Sequence, residues 1–438
     1  MPRLFGTDGV RGVAGTELTP DLVLRIADSA ARFFDKADKV LLIGRDTRIS
    51  GPEIEAQLAK GFVGNGWKVV NIGVIPTPGL ARLCREFGNY GAVISASHNP
   101  IEYNGIKFFG PKGVKLLDEE EDSIESMLRN DPNGHDSVHG SHQTDEMWKK
   151  YAMELVGDVK LNLTGKKIVL DCAFGATCYS APFAFTKLGA EIITFGDKPD
   201  GNMINVNCGS TEPDTMCQMV KDSGAWLGFA FDGDGDRCIA CDHEGNLVDG
   251  DKMMGIIATY FKDKRLPNNT MITTVMTNMG LEEYLVNHGI KMSRAQVGDR
   301  YVYQMMLETG ANLGGEQSGH VIISDRTTTG DGTLTALTLA KSLLGLGKTL
   351  KQAAAEIPTY PQQLINVKVR DKNEVLNSGI VEELTILANK KLDGHGRILI
   401  RPSGTEPKIR VMVEASDENL CQQVVSEAAN QIKSQFGI

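Results

Sequence analysis

Seven short apolar runs constrain this chain more than any other feature. Val40–Ile43, Val69–Ile72, Ala92–Ser95, Lys167–Leu170, Ile192–Phe195, Gly228–Phe231 and Met271–Val275 are β-branched or apolar and bounded by Gly, Asp or Pro. Continuous apolar runs of this length read as strands buried on both faces, which is the signature of parallel sheet. Helix-period stretches such as Glu53–Phe62 and Ala181–Leu188 lie between them, and strands alternating with helices imply βαβ units and doubly wound sheets. A weak repeat supports this reading. Phe62-Val63-Gly64-Asn65-Gly66-Trp67-Lys68, Phe185-Thr186-Lys187-Leu188-Gly189-Ala190-Glu191 and Leu285-Val286-Asn287-His288-Gly289-Ile290-Lys291 each carry an apolar anchor, a glycine four residues on, a charge and then a strand. Glycine there suits a left-handed helix end that leads straight into the next strand. Three copies predict three related α/β domains.

After Pro361 the pattern changes to strand Leu364–Val369, helix Glu374–Lys390, strands Arg397–Arg401 and Ile409–Glu414, and helix Glu418–Ser434. That order predicts a smaller α+β domain. The expected boundaries are 1–150, 151–250, 251–362 and 363–438, compatible with 438 residues at roughly 100–200 per domain. Asn130–Thr144, rich in polar residues and glycine, reads as a surface loop, and its His135, His139 and His142 as solvated side chains without the Glu of a zinc helix.

Composition excludes several classes. The net charge of −10 argues against nucleic-acid or anionic-membrane binding. No apolar run reaches the length of a membrane span and the first residues lack a signal-peptide core, so the expected compartment is the cytoplasm. Eight cysteines are scattered, and the lone Cys238–Cys241 pair reads as two buried thiols rather than half a zinc site. Glycine is in excess, at 48 residues, a surplus of about seventeen over the usual share.

Four motifs carry chemistry. Asp232-Gly233-Asp234-Gly235-Asp236-Arg237 follows an apolar strand, and three carboxylates at alternate positions suit one hard cation, Mg²⁺ or Ca²⁺. An EF-hand is excluded because Arg237 and His243 replace its Gly and Glu. Ser95-Ala96-Ser97-His98-Asn99-Pro100 ends another strand, where open α/β sheets bind ligands. Ser97 is therefore placed as nucleophile or phosphate ligand, with Lys107 close behind it. Gly314-Gly315-Glu316-Gln317-Ser318-Gly319-His320 offers donors and acceptors suited to a polyol. Arg401-Pro402-Ser403-Gly404-Thr405-Glu406-Pro407, with Arg410, is a phosphate cradle. Two Gly/Arg loops, Gly6–Gly12 and Gly44-Arg45-Asp46-Thr47-Arg48, could also face anions. No dinucleotide fingerprint opens a helix, and Gly347-Lys348-Thr349 lacks the first glycine of a Walker motif, where Ser342 stands. A metal, a serine, hydroxyl readers and a separate phosphate clamp point to phosphoryl transfer on a phosphorylated sugar.

Together the four motifs, in this order along the whole chain, resemble the α-D-phosphohexomutase superfamily. Met1–Gly12, Gln317 and Cys208-Gly209-Ser210-Thr211 carry the likeness toward its bacterial hexosamine-phosphate branch. The resemblance implies three doubly wound α/β domains and the smaller α+β domain around a central active-site cleft, one motif from each. It implies an isomerase that interconverts glucosamine 6-phosphate and glucosamine 1-phosphate through a phosphoserine at Ser97 and glucosamine 1,6-bisphosphate, supplying UDP-N-acetylglucosamine and cell-wall precursors. One Mg²⁺ per chain would be held by Asp232, Asp234, Asp236 and the Ser97 phosphate. Arg11, Lys107, His98, His320 and Arg237 are candidates for proton transfer or charge stabilisation. Glu316, Ser318 and His320 would read sugar hydroxyls, and Arg401, Ser403, Gly404, Thr405 and Arg410 the non-reacting phosphate. The implied partner is a phosphorylated hexosamine, with no nucleic acid or membrane and with a homodimer as one assembly. The C-terminal domain would rotate to close the site about Pro358–Pro361. Tyr103 departs from the pattern, standing where these enzymes usually carry Asp. Two other functions stay open: a phosphomannomutase or phosphoglucomutase, and a Mg²⁺-dependent phosphatase or phosphotransferase with an Asp nucleophile in Asp232-Gly233-Asp234.

Overall fold

The computed structural model describes residues 3–6, 8–35, 38–133, the backbone of 141–143, 147–403 and 406–438. Thr7, Gly404, Thr405, His135, His139 and the His142 side chain therefore lie outside the described residues. The chain divides into two compact units, Met1–Met276 with Gly289–Ala355, and Thr277–His288 with Glu356–Ile438.

The first unit holds three sheets. In the first, the order is Val10–Val13, Tyr103–Phe109, Tyr90–Ile94, Val40–Arg45, Lys68–Val74, Ser141–Gln143. The last four are parallel and the first two antiparallel. Ser141–Gln143 corrects the reading of Asn130–Thr144 as loop throughout, because its backbone pairs with Val69–Asn71. In the second sheet Leu227–Phe231, Lys167–Asp171 and Glu191–Phe195 are parallel, and Cys238–Asp242 and Leu247–Val248 are added antiparallel. In the third, Lys291–Ala295, Thr270–Thr274 and Leu313–Gly315 are parallel and Val321–Ile323 returns antiparallel. All seven runs expected as parallel strands lie in the parallel ladders.

The repeated helix ends form as their glycines require. Gly66, Gly189 and Gly289 have φ of +79°, +91° and +66°. The amide of Trp67 bonds the Phe62 carbonyl at 3.0 Å and that of Ala190 bonds Phe185 at 3.1 Å. These bonds use up helix-end carbonyls and turn the chain directly into the next strand.

Packing fixes the first sheet. Helix Gly51–Gly64 buries Ile54, Leu58 and Phe62, each such side chain contributing roughly 1.5–3 kcal/mol. Phe34 stacks on Tyr90 at 4.1 Å, and the Trp67 indole N–H donates to the Ala31 carbonyl at 2.9 Å. Among the described residues, no helix is long and apolar enough to cross a membrane.

The second unit centres on an antiparallel sheet in the order Gln362–Lys368, Lys408–Ala415, Gly396–Pro402, with helices Ile380–Leu392 and Glu418–Phe436. The helix expected over Glu374–Lys390 is two, Lys372–Asn377 and Ile380–Leu392. Gly379 between them has φ +81°, a left-handed conformation that ends an α-helix. Helix Met279–Asn287 belongs to this unit. The Asn278 side chain exchanges two hydrogen bonds with the backbone of Tyr360, at 3.0 and 2.9 Å.

Candidate active site

Each of the three motifs in the first unit is the loop between a parallel strand and its antiparallel return. Ser97 lies between Tyr90–Ile94 and Tyr103–Phe109, the Asp motif between Leu227–Phe231 and Cys238–Asp242, and Glu316–His320 between Leu313–Gly315 and Val321–Ile323. A hairpin ties both ends of each loop to the sheet. Main-chain bonds also tie the loops to neighbouring segments. Thr77 N–H donates to the Asp234 carbonyl at 2.9 Å, Ala176 to Gly233 at 2.8 Å, Cys238 to Gly319 at 3.1 Å and Gly332 to Gly235 at 3.0 Å. A Cβ on Gly233 would lie 2.6 Å from the Ser97 carbonyl oxygen, so only glycine permits this approach.

Ser97 is buried and sits at φ +52°. Its hydroxyl donates to Asp232 Oδ2 at 2.6 Å, and His98 Nδ1 is 3.2 Å from Ser97 Oγ. Asp232, Asp234 and Asp236 each offer an oxygen within 4.8 Å of the others, and all three are buried. Burial and then Asp236 and Asp234 hold Asp232 well above the usual carboxylate range. Burial and Asp234 push Asp236 up as well. Asp234 moves the other way: against burial, Lys107 at 3.0 Å and the Thr77 hydroxyl at 2.7 Å hold it low. Asp234 Oδ1 and Asp236 Oδ1 are buried with no hydrogen-bond partner. Hard oxygen donors, mutual repulsion and idle lone pairs together fit a divalent hard cation such as Mg²⁺.

Positive charge surrounds this trio. Lys107, 2% exposed, bridges Asp234 and Asp8, the latter at 2.9 Å, and reaches Asp236 at 4.0 Å. Despite burial, Asp234 and Asp8 raise its pKa, so it is held as the ammonium. Arg237 donates its backbone N–H to Asp232 at 3.1 Å, and its Nε lies 3.9 Å from Asp236. Arg11 pairs with Asp8, and its Nε is buried and unpartnered. His98 responds to this field. Burial, then Arg237 and Arg11, push it down to about 4.

Three members of the cluster escaped the sequence reading. Asp8 accepts from Lys107 and Lys115, and Lys115 also binds Asp299, each Lys115 contact being 2.6 Å. Asp8 lay inside a quoted motif, but a lone Lys115 and a lone Asp299 carry no local pattern. They meet where the loop after strand Tyr103–Phe109 reaches the start of helix Asp299–Thr309.

The remaining expectations fall out unevenly. His320 is buried and turned toward the trio, its Nε2 3.7 Å from Asp236 and 3.5 Å from Asp299 while accepting the Gly330 N–H at 3.2 Å. Glu316 is half-buried and accepts the Gly298 N–H at 3.2 Å, and the Ser318 hydroxyl is shielded and unpartnered. Gln317 braces its loop against Asp249 at 3.2 Å. The expectation that Gly44–Arg48 faces anions is corrected. Arg45 pairs with Glu55 at 3.1 Å, and Arg48 is buried and committed to Asp46 and to backbone carbonyls. Tyr103 contributes its carbonyl to Arg48, a bond that does not depend on which side chain stands there.

In the second unit, Arg401 and Arg410 are directly opposed across the antiparallel ladder. Opposed residues share a face, and two like charges there destabilise each other unless an anion intervenes. Burial and Arg410 lower the pKa of Arg401, and Arg410 Nε is buried and unpartnered. Ser403 is buried beside them in sequence, its carbonyl held by Lys372 at 2.7 Å.

A buried serine at a strand end, a trio of buried carboxylates and a ring of positive charge make an arrangement suited to phosphoryl transfer on an α/β scaffold. Sequence models of the phosphoglucomutase/phosphomannomutase domains match in succession: domain I over 2–134, domain II over 149–245, domain III over 249–360 and the C-terminal domain over 364–431. The chain belongs to the phosphoglucomutase/phosphomannomutase family. It is 47% identical to a phosphoglucosamine mutase of Desulforamulus reducens over 98% of this chain and 99% of that one. It is 45% identical to that of Staphylococcus haemolyticus over the whole of both. Among solved structures, a phosphoglucomutase/phosphomannomutase family protein of Burkholderia thailandensis superimposes with a TM-score of 0.81 at 23% identity, covering 100% of this chain and 99% of that one. The Aspergillus fumigatus N-acetylphosphoglucosamine mutase, solved with GlcNAc-6P and magnesium, gives 0.68 at 16% identity, covering 98% and 95%. At those identities the likeness concerns the fold.

Proposed function

We propose that this chain interconverts glucosamine 6-phosphate and glucosamine 1-phosphate, in keeping with full-length relatives that are named phosphoglucosamine mutases. The reading rests on one observation above all. The Ser97 hydroxyl points into the buried acidic trio, 2.6 Å from Asp232, at the end of a sheet strand. In this reading Ser97 carries a phosphoryl group. The Ser97 Oγ–P bond breaks as a sugar hydroxyl bonds to phosphorus, giving glucosamine 1,6-bisphosphate. The bond from phosphorus to the other sugar oxygen then breaks and the phosphoryl returns to Ser97. The net proton passes from the attacking sugar hydroxyl to the oxygen left behind.

Such transfers have loose, charge-dispersed transition states, so positioning and charge neutralisation do most of the work. When bound by Asp232, Asp234, Asp236 and the Ser97 phosphate, one Mg²⁺ would draw charge from the transferring group. Lys107, held as an ammonium, suits charge neutralisation rather than proton uptake. His98, its pKa lowered to about 4, stays a neutral imidazole at neutral pH within hydrogen-bond reach of Ser97 Oγ, so it suits orienting that oxygen rather than holding its proton. Arg11 and Arg237 add positive charge. Ser318 and Glu316 are assigned the sugar hydroxyls, with His320 beside the trio. Arg401, Arg410, Ser403, Gly404 and Thr405 are assigned the phosphate that does not react.

Intact mass and peptide mapping should place a phosphoryl group on Ser97. A coupled assay with trace bisphosphate should prefer glucosamine phosphate over glucose and mannose phosphates. An acyl-phosphate on Asp232 would overturn the mechanism, and equal turnover of the three sugars would overturn the substrate.

A further inference from the structure

Beneath Ser97 lies a buried polar assembly that touches neither the acidic trio's open oxygens nor any proposed substrate group. Arg48 and Asp46 are both 0% exposed. All five guanidinium N–H donors of Arg48 are taken. Nε donates to Asp46 Oδ2 at 3.0 Å. One terminal nitrogen donates to the carbonyls of Pro100 at 2.5 Å and Tyr103 at 2.9 Å. The other donates to those of Ser97 at 3.0 Å and Asn99 at 2.8 Å. Asp46 in turn accepts the Ser95 hydroxyl at 2.6 Å and the Arg48 N–H at 2.9 Å. The Ser95 oxygen accepts the Ser97 N–H at 2.8 Å.

Both main-chain polar groups of Ser97 thus end in this network, its carbonyl shared with the Asn205 amide at 2.8 Å. The constraint matters because Ser97 is a non-glycine residue at φ +52°. A side chain in the left-handed region is strained and persists only where its surroundings over-determine it. Here a planar fork of five donors grips four carbonyls of a seven-residue bend, a geometry that a point-like ammonium cannot reproduce.

We propose that Arg48, with Asp46 and Ser95, is the positioning device of Ser97, holding the strained backbone that aims its oxygen at the acidic trio. The inference rests on the proposed role of Ser97, and Arg48 itself touches no substrate. A misplacement of about 1 Å in a reacting group can cost about a hundredfold in rate.

Arg48→Lys keeps the charge against Asp46 but loses the fork. Ser95→Ala removes one link without removing a charge and serves if Arg48→Lys does not fold. Both are made in the full chain and read in three ways: hydrogen exchange of the peptide spanning 95–103, the phosphate content of Ser97, and kcat and KM for glucosamine 6-phosphate. For Arg48→Lys, exchange in 95–103 should rise at least about tenfold. Its kcat should fall about ten- to a hundredfold with KM within about twofold. Ser95→Ala should show the same pattern, smaller. A variant with lowered melting temperature but kcat within twofold of the parent would overturn the proposal and leave Arg48 a structural staple. If the parent itself neither carries phosphate on Ser97 nor converts the sugar, the functional reading falls instead. In that case unchanged exchange in 95–103 would by itself refute the positioning role.

Discussion

Replacing Lys107 with Met tests the balance of charge at the site. Met keeps most of the volume and the apolar stem while deleting the ammonium. Lys107 Nζ lies 3.0 Å from Asp234 and 2.9 Å from Asp8. At an effective dielectric of about 20, each contact is worth about 5–6 kcal/mol gross. Burial of the lysine offsets much of that, and removing one partner of a buried ion pair typically costs about 3–5 kcal/mol. For a unit of this size the loss corresponds to about 4–7 °C in melting temperature. A divalent cation among Asp232, Asp234 and Asp236 would supply positive charge to the same carboxylates. The expected result in scanning calorimetry is therefore a large loss for Lys107→Met in EDTA and less than half that loss in saturating MgCl₂. An equal loss in both conditions, or a loss below about 1 kcal/mol in EDTA, would refute the electrostatic account.

Three further outcomes are expected. Asp232→Asn should raise the melting temperature in EDTA, by about 1–2 kcal/mol of stability, because an Asp whose pKa is pushed up by burial and two carboxylates is strained when ionised; the Mg²⁺-induced gain in the same scan should vanish. His98, held down at about 4, resists protonation while the unfolded chain takes up its proton near pH 6.5, so its contribution is full above about 6.5 and is lost as pH falls toward 4, by up to about 3 kcal/mol. His98→Gln should flatten the melting-temperature profile between pH 7 and 5, and parallel profiles would count against it. Gly319→Ala places a Cβ 2.0 Å from the Cys238 carbonyl at φ +87°; it should cost about 3 kcal/mol or more and raise KM, with the thermal response to Mg²⁺ retained.

Sequence pattern made the layers legible because buried parallel strands leave continuous apolar runs and helix ends leave glycines. The Asp trio was legible because its three residues sit at alternate positions of one loop. The antiparallel returns were harder to see. Cys238–Asp242 and Val321–Ile323 are short, follow their loops at once and resemble extensions of the motifs. Lys115 and Asp299 meet although they are 184 positions apart in sequence, and no spacing rule reaches so far. Arg48 was read as facing an anion because a Gly/Arg loop offers donors that normally seek water or a ligand. Four carbonyls and a buried carboxylate together replaced that water.

The glycine-mediated contacts among the loops also bear on how such a site can diversify. Gly175 faces the Gly233 carbonyl, Gly250 that of Glu316 and Gly332 that of Arg237, at separations where any side chain would collide. The loops are therefore registered main chain to main chain, and no ordinary substitution can adjust that register by degrees. Selection is left with two separate inventories. The glycine frame tolerates almost no change. A displayed side chain such as Ser318, whose hydroxyl has no hydrogen-bond partner, stands outside that frame and can be exchanged without altering the register. A scaffold built this way would keep its chemistry fixed while its choice of sugar drifts.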